Sequence, residues 1–279
     1  MNLVSLGTPL LALELTLNSG QAFHWKREGH GWLGAIGEAA VYLEQRNGEL
    51  FVNAGAESAA SNYLALDHPL EEIAASFPKD PVTQEALSFC HGMRILRQPR
   101  WEALATFITS SMKQVAHIAQ ISHTLRQRFG RPLDWEGRSM HTYPSPEALG
   151  ALSEADLRAC ALGYRAANLL ASAQRIASGD TDLDRIAELP DAEAQMALRN
   201  LPGVGEKVAN CALLFGFERL KAFPVDVWIE RVIRVRYFRK RQKVTPATIR
   251  AFCSKSFGPY GGYAQQYLFH HARLTWKKG

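Results

Sequence analysis

The 279-residue chain has only four cysteines, and Cys90, Cys160, Cys211 and Cys253 stand far apart. None forms a CxxC pair and none has a histidine at ligand spacing, which excludes a cysteine-based metal centre and leaves reduced, mostly buried thiols. Long apolar runs are missing too. No stretch approaches the ~20 residues that cross a bilayer, and the opening MNLVSLGTPLLALEL lacks a basic flank and carries Glu14, so it is a poor signal peptide. Repeats and low-complexity tracts are absent. Neither sign of charge dominates: 32 Lys and Arg stand against 27 Asp and Glu, a net +5 with pI about 9.1. These absences predict a soluble, intracellular globular protein with no membrane segment and no metal. The slight basic excess favours a polyanionic partner in a general way.

With 47% hydrophobic residues the chain can bury a sizeable core in one large or two ordinary domains. Residues 10 to 55 have period-two character. Leu13, Leu15 and Leu17 alternate, as do Phe23 and Trp25, and Val41 and Leu43, which predicts strands of a half-buried antiparallel sheet. Asn47-Gly48 between VYLEQ and ELFV is a two-residue hairpin signal, and Asn18-Ser19-Gly20-Gln21 reads as a turn between the first two strands. From about residue 58 the period becomes helical. Short helices are predicted from Leu70 and from Pro81, and one long helix has Trp101, Leu104, Ala105, Ile108, Met112, Val115 and Ala119 as its apolar face. Ser145-Pro146 and the Ser153/Asp156 pair start two more, the second ending at Gly163; a helix follows from Tyr164 to about Ser178. Asp191 is expected to cap the next helix, Thr245 a later one, and a final helix carries Tyr263 to His271. The fold class is therefore α+β: an N-terminal antiparallel sheet domain over 1–92, then a mainly α-helical region over 93–279.

Within the helical region, Leu201 to Asp226 reads LPGVGEKVANCALLFGFERLKAFPVD. A Gly-rich turn, Leu201 to Gly205, opens into an apolar helix. Glycines let the backbone approach another surface, and the helix N-terminus beyond leaves N–H groups unpaired, a combination that binds phosphate. Lys207 sits in the first helical turn. Asp226 follows Pro224 at a position that suits an N-cap, and a basic run (Arg231, Arg234, Arg236, Arg239, Lys240, Arg241, Lys243) comes directly after. Each feature alone has an ordinary structural explanation, but together they point to a nucleic-acid site with a lysine and a carboxylate in it.

At these residues LPGVGEKVANC followed by FPVDVW resembles the helix-hairpin-helix, Gly/Pro-rich loop and Asp signature of the HhH-GPD DNA glycosylases, with the hairpin at about 191–218 and the lysine of the bifunctional glycosylase/AP lyase members. GQAFHW, LGYRA and GPYGGYAQQYLF are similar to segments of the 8-oxoguanine branch. The resemblance spans about 13 to 273. The four-Cys iron–sulfur loop of other branches has no counterpart here.

The resemblance implies specific roles. Lys207 would attack C1′ as a nucleophile and Asp226 would stabilise the developing charge. Gly20, Cys211, Gln265 and Phe269 would form the base pocket. Leu201, Gly203, Val204, Gly205 and Arg231 would hold the DNA backbone, and Tyr164 and Arg165 would wedge into the gap left by the flipped base. Met112 and His117 stand where the animal enzymes place an asparagine and an arginine that read the opposite cytosine, and Trp228 where many relatives carry a phosphate-binding histidine. Neither Met112 nor His117 can make bidentate contact with a base edge. The implied function is excision of 8-oxoguanine from duplex DNA with associated β-elimination, by a monomer, without a cofactor. The partner would be double-stranded DNA holding an oxidised purine, in the cytoplasm or nucleoid of a bacterium or the nucleus of a eukaryote. Two alternatives stay open: an alkylated-purine glycosylase of the same superfamily, and a non-catalytic helix-hairpin-helix DNA-binding protein. The His270-His271 pair is no metal site, since adjacent helical side chains point apart.

Overall fold

A computed structural model describes residues 2–111, 114–239 and 244–276. The N-terminal part is a five-stranded antiparallel sheet of β1 (Leu3–Ser5), β2 (Lys26–Glu28), β3 (Gly31–Ile36), β4 (Ala39–Arg46) and β5 (Glu49–Asn53), in the order β1-β5-β4-β3-β2. Asn47 (φ 50°) and Gly48 (φ 84°) make the hairpin turn expected between β4 and β5, with Arg46 paired to Glu49. Val41, Leu43, Leu50 and Val52 are fully buried on one face and form a core with helix α1 (Leu13–Asn18) and α2 (Glu57–Tyr63).

Helix α1 corrects the strand expected there. Leu13 and Leu17 lie one helical turn apart and both bury, whereas a strand would need Leu15 on the same face; six residues are too few for the periodicity to discriminate. The 18–21 turn therefore follows a helix, and residues 21–25, including Phe23 and Trp25, are irregular rather than a strand.

The helical part contains α3 (Leu70–Ser76), α4 (Pro81–Phe89), α5 (Arg100–Thr109), α6 (Val115–Phe129), α7 (Pro146–Gly150), α8 (Glu154–Arg158), α9 (Arg165–Ala177), α10 (Leu183–Glu188), α11 (Asp191–Arg199), α12 (Glu206–Gly216), α13 (Val227–Tyr237), α14 (Pro246–Ser256) and α15 (Gly261–Thr275). Helices α3 and α4 pack into this second, larger core. The single long helix expected over 101–119 is two, α5 and α6. Thr109 Oγ1 and Ser110 Oγ donate to the carbonyls of Thr106 and Phe107 at 2.8 Å each, and such hydroxyl-to-carbonyl bonds compete with the helical ladder.

Three smaller expectations are also revised. Helix α8 stops at Arg158, and the chain turns through Ala161 (φ 62°) and Gly163 (φ 58°) before α9. Pro190 occupies the N-cap of α11, and Asp191 is already helical. A hairpin, β6 (Pro132–Trp135) with β7 (Arg138–His141), interrupts the helical part; Trp135 stacks on Tyr42 of the sheet at 4.9 Å. Its strands are too short to declare themselves: PLDW alternates over only two apolar residues, Leu133 and Trp135, and RSMH does not alternate. The caps at Ser145, Ser153 and Thr245 form as expected. Among the described residues no helix is long and apolar enough to cross a membrane.

Candidate active site

The turn between α11 and α12 is held from beneath and bare on top. Leu201 and Val204 are buried, and the Ser172 hydroxyl donates to the Pro202 carbonyl at 3.0 Å, while Gly203 and Gly205 are exposed. Only Gly203 needs glycine's freedom: its φ is +77° and a Cβ there would lie 2.8 Å from that of Asn168. Gly205 is the N-cap of α12 with ordinary extended geometry (φ −80°), and nothing lies within 4 Å of a Cβ built on it. Its missing side chain leaves the α12 N-terminus open to an approaching anion.

Lys207, one residue into α12, is half-buried. Its ammonium donates to Ser110 Oγ at 3.2 Å and sits 5.1 Å from the centre of the Phe107 ring, which itself stacks on Phe215 at 5.3 Å. One turn on, Cys211 is buried, and that burial pushes its thiol up to about 11 against the opposing charge of Lys207. Asp226 caps α13 by accepting the Ile229 N–H at 2.8 Å. Burial raises its carboxyl above the usual range, opposed by that N–H and then by the charge of Lys207. Lysine, thiol and carboxylate thus form one electrostatic cluster.

Gly20 has φ +85°, and a Cβ on it would meet Phe269 Cε1 at 3.3 Å and Arg273 Nη1 at 3.2 Å, so the loop passes directly against α15. Gln21 fixes that loop from inside. Fully buried, it donates through Nε2 to the carbonyls of Thr16 (3.1 Å) and Arg94 (2.8 Å) and accepts the Leu96 N–H at 2.8 Å. Gln266 Nε2 donates to the Ser19 carbonyl at 3.0 Å. Gln265, one turn before Phe269, is buried with an Oε1 that has no hydrogen-bond partner, an acceptor waiting for a donor. The first turn of α15 packs on α12 through Gly262 and Leu214, next to the Cys211 turn.

The positions expected to meet DNA divide. Tyr164 is exposed, as is His117 in the first turn of α6 and Arg231 on α13. Trp228 is partly buried against the helical core. Arg165 does not present itself as a wedge. It is buried beside the Tyr164 ring, and its guanidinium donates to the carbonyls of Ser111 (Nε, 2.7 Å) and Leu162 (Nη1, 3.2 Å), fastening the α5–α6 turn to α9. Met112 lies outside the described residues, as do Lys240, Arg241 and Lys243 of the basic run. Among the described residues no group of three His, Cys, Asp or Glu could hold a metal ion. Sequence reasoning missed Gln21 and Arg273; beside their local contacts, the bonds that tie them to the rest of the fold reach partners more than 70 residues away and carry no local signal.

Comparison with known proteins agrees with this geometry. Residues 4–104 match the family model described as 8-oxoguanine DNA glycosylase, N-terminal domain, and residues 105–259 match HhH-GPD superfamily base excision DNA repair protein. The chain is 33% identical to the N-glycosylase/DNA lyase OGG1 of Arabidopsis thaliana, over 93% of this chain and 76% of that protein. Among solved structures it resembles MBOgg1 in complex with a low-affinity DNA ligand, with TM-score 0.91 and 32% identity over 97% and 94% of the two chains. It also resembles the Clostridium acetobutylicum 8-oxoguanine glycosylase/lyase bound to double-stranded DNA containing cytosine opposite 8-oxoG, with TM-score 0.90 and 30% identity over 95% and 92%.

Proposed function

The chain belongs to the 8-oxoguanine DNA glycosylase family of HhH-GPD base excision repair proteins, and from that membership we propose that it extrudes 8-oxoguanine from duplex DNA, excises it and cleaves the strand through a lysine Schiff base. The observation that carries the proposal is the placement of Lys207, on Ser110 Oγ at 3.2 Å and over the Phe107 ring, one residue beyond a bare Gly205 N-cap, with the α13 cap Asp226 within reach of its charge.

A base inside the stack is out of reach, and flipping it costs a few kcal/mol. Phosphate contacts to the α12 N-terminus and to Arg231 offset part of that cost. The Lys207 nitrogen, in its uncharged form, then attacks C1′ of the flipped nucleotide. Asp226 holds a fixed negative charge against the positive charge that develops on the sugar. Gly20 and Phe269 line one side of the base pocket, Cys211 the other, and the unpartnered Oε1 of Gln265 accepts a hydrogen bond from an N–H on the base edge. Opening of the sugar ring gives the Schiff base, from which β-elimination breaks the strand. The functional parts all lie on one chain, and we take the monomer as the working unit. The division at residue 92 likewise stands as a proposal, with the catalytic groups in the second part and Gly20 contributed by the first.

Borohydride trapping on duplexes holding 8-oxoguanine, an alkylated purine or guanine tests the reading. A covalent adduct is expected with 8-oxoguanine and is lost in Lys207→Gln. Base release that persists in Lys207→Gln but stops in Asp226→Asn would instead make the protein a monofunctional glycosylase. No release from any duplex would make it a DNA-binding module. Run across all four opposite bases, the same assay should show weak discrimination, because neither Met112 nor His117 offers a fork of donors to cytosine.

A further inference from the structure

The reaction uses Lys207 and Asp226 and leaves one partly buried charge unassigned. Arg273 lies on α15 one turn beyond Phe269. Its Nη2 donates to the Asn18 carbonyl at 2.8 Å and lies 3.1 Å from Nδ1 of His270, and its Nε is buried with no hydrogen-bond partner. His270 can accept that bond: burial first, and the Arg273 charge second, pull its imidazole down to about 4, so it is neutral at pH 7. The guanidinium stands 5.6 Å from the centre of the Phe269 ring, and its Nη1 abuts the space where Gly20 lacks a side chain.

Other buried or partly buried arginines are compensated. Arg126 pairs with Glu102, Arg97 with Asp67 and Glu218, and Arg94 donates to the carbonyls of Leu10, Ala65 and His68. Arg273 has one carbonyl, a neutral imidazole and, among the described residues, no carboxylate; burial acts on its charge with no acid to offset it. A partly buried cation with no acid beside it and a buried, unpartnered Nε costs the resting protein some desolvation. Its cost is relieved when a negative charge forms beside it.

We propose that Arg273 stabilises the negative charge that the purine takes on as its bond to the sugar breaks. The inference rests on the base-pocket reading above, which places the base against Phe269 and Gly20. When the C1′–N9 bond breaks, its electron pair stays with the base and spreads over the ring and the C8 oxygen. The Lys207 nitrogen forms the new bond to C1′, and the proton it sheds goes to the base, which departs neutral. A fixed guanidinium in a pocket wall lowers the energy of that transient anion without reorganising. Because its charge acts on the leaving base and not on the sugar, its effect is confined to base release.

The test compares three readouts in wild type, Arg273→Met and Arg273→Lys. These are single-turnover release of 8-oxoguanine, strand scission at a preformed abasic site, and affinity for a duplex carrying an uncleavable 2′-fluoro 8-oxoguanine nucleotide. Arg273→Met is expected to slow base release on the order of 10²-fold, with abasic-site scission and affinity within about twofold of wild type, and Arg273→Lys to recover most of the loss. Equal losses in base release and abasic-site scission would overturn the inference, as would a loss of affinity matching the loss in rate, or a lysine variant no better than methionine; each would make Arg273 a packing residue. Base release unchanged in both variants would overturn it as well. A wild-type protein that releases no 8-oxoguanine would overturn the functional reading and the inference together. An active wild type with unaffected variants would overturn the inference alone.

Discussion

At Asp226 two demands pull in opposite directions. Its side chain caps α13, which any good cap can do, and it holds a charge in a partly buried place, which costs stability. Asparagine keeps the cap and drops the charge. Asp226→Asn should therefore lose base release on the order of 10²-fold while melting at pH 7 no lower than wild type; Asp226→Ala should lose the cap as well, about 1 kcal/mol. The raised carboxyl fixes the sign of the pH effects. The folded protein binds this proton more readily than the unfolded chain does, so the residue's destabilising contribution is full above the folded pKa and fades as pH falls through it. Activity needs the carboxylate, so the acid limb of the rate profile should lie above the ordinary aspartate range near 3.9. A limb at or below that value would refute the assignment. Lys207 and Asp226 were legible in the sequence because each declares itself through its neighbours, a Gly-rich turn and a Pro-preceded cap. Arg273 and Gln21 were not, since what defines them is whom they meet across the fold.

The element that separates conformation from contact is the 201–205 turn. Gly203→Ala puts a methyl into Asn168 at a positive φ, and should lower both the melting temperature and DNA affinity. Gly205→Ala meets nothing in the free protein and should leave the melting temperature unchanged, yet weaken duplex binding if, as proposed, the DNA backbone closes on that position. Differential scanning fluorimetry and fluorescence anisotropy on the two variants give the comparison; equal affinity for Gly205→Ala and wild type would move the phosphate site elsewhere. Helix starts with Ser or Thr caps were readable in sequence at Ser145, Ser153 and Thr245. Helix ends were less so. The α5–α6 break hides inside an unbroken apolar stripe, because two hydroxyls and the guanidinium of Arg165 make it.

Across the whole molecule, the net charge of +5 is too small to dominate binding, so affinity should depend on a few placed contacts. Binding should fall with salt along a log–log line, and Arg231→Ala should flatten its slope by about one unit if Arg231 neutralises one phosphate. An unchanged slope would confine Arg231 to its contact with Trp276, 5.7 Å away. The α+β class followed from a change of periodicity near residue 58; the β6–β7 hairpin did not, since its strands are four residues each and RSMH does not alternate.

The loop of residues 18–21 is one of the places where the sheet part meets the helical part. It belongs to the sheet part, its glutamine is tied to the 94–98 segment, and α15, from the far end of the chain, closes over it through Gln266 and Arg273. Such a seam is stitched by polar bonds between parts whose apolar residues pack in two separate clusters. Mild denaturant should open it before either core melts. In urea, base release is then lost at a lower concentration than the main drop in circular dichroism, whereas scission at an abasic site, which needs no base pocket, survives to the main transition. Stressed molecules would pass through a state that no longer excises the lesion but still cuts abasic DNA.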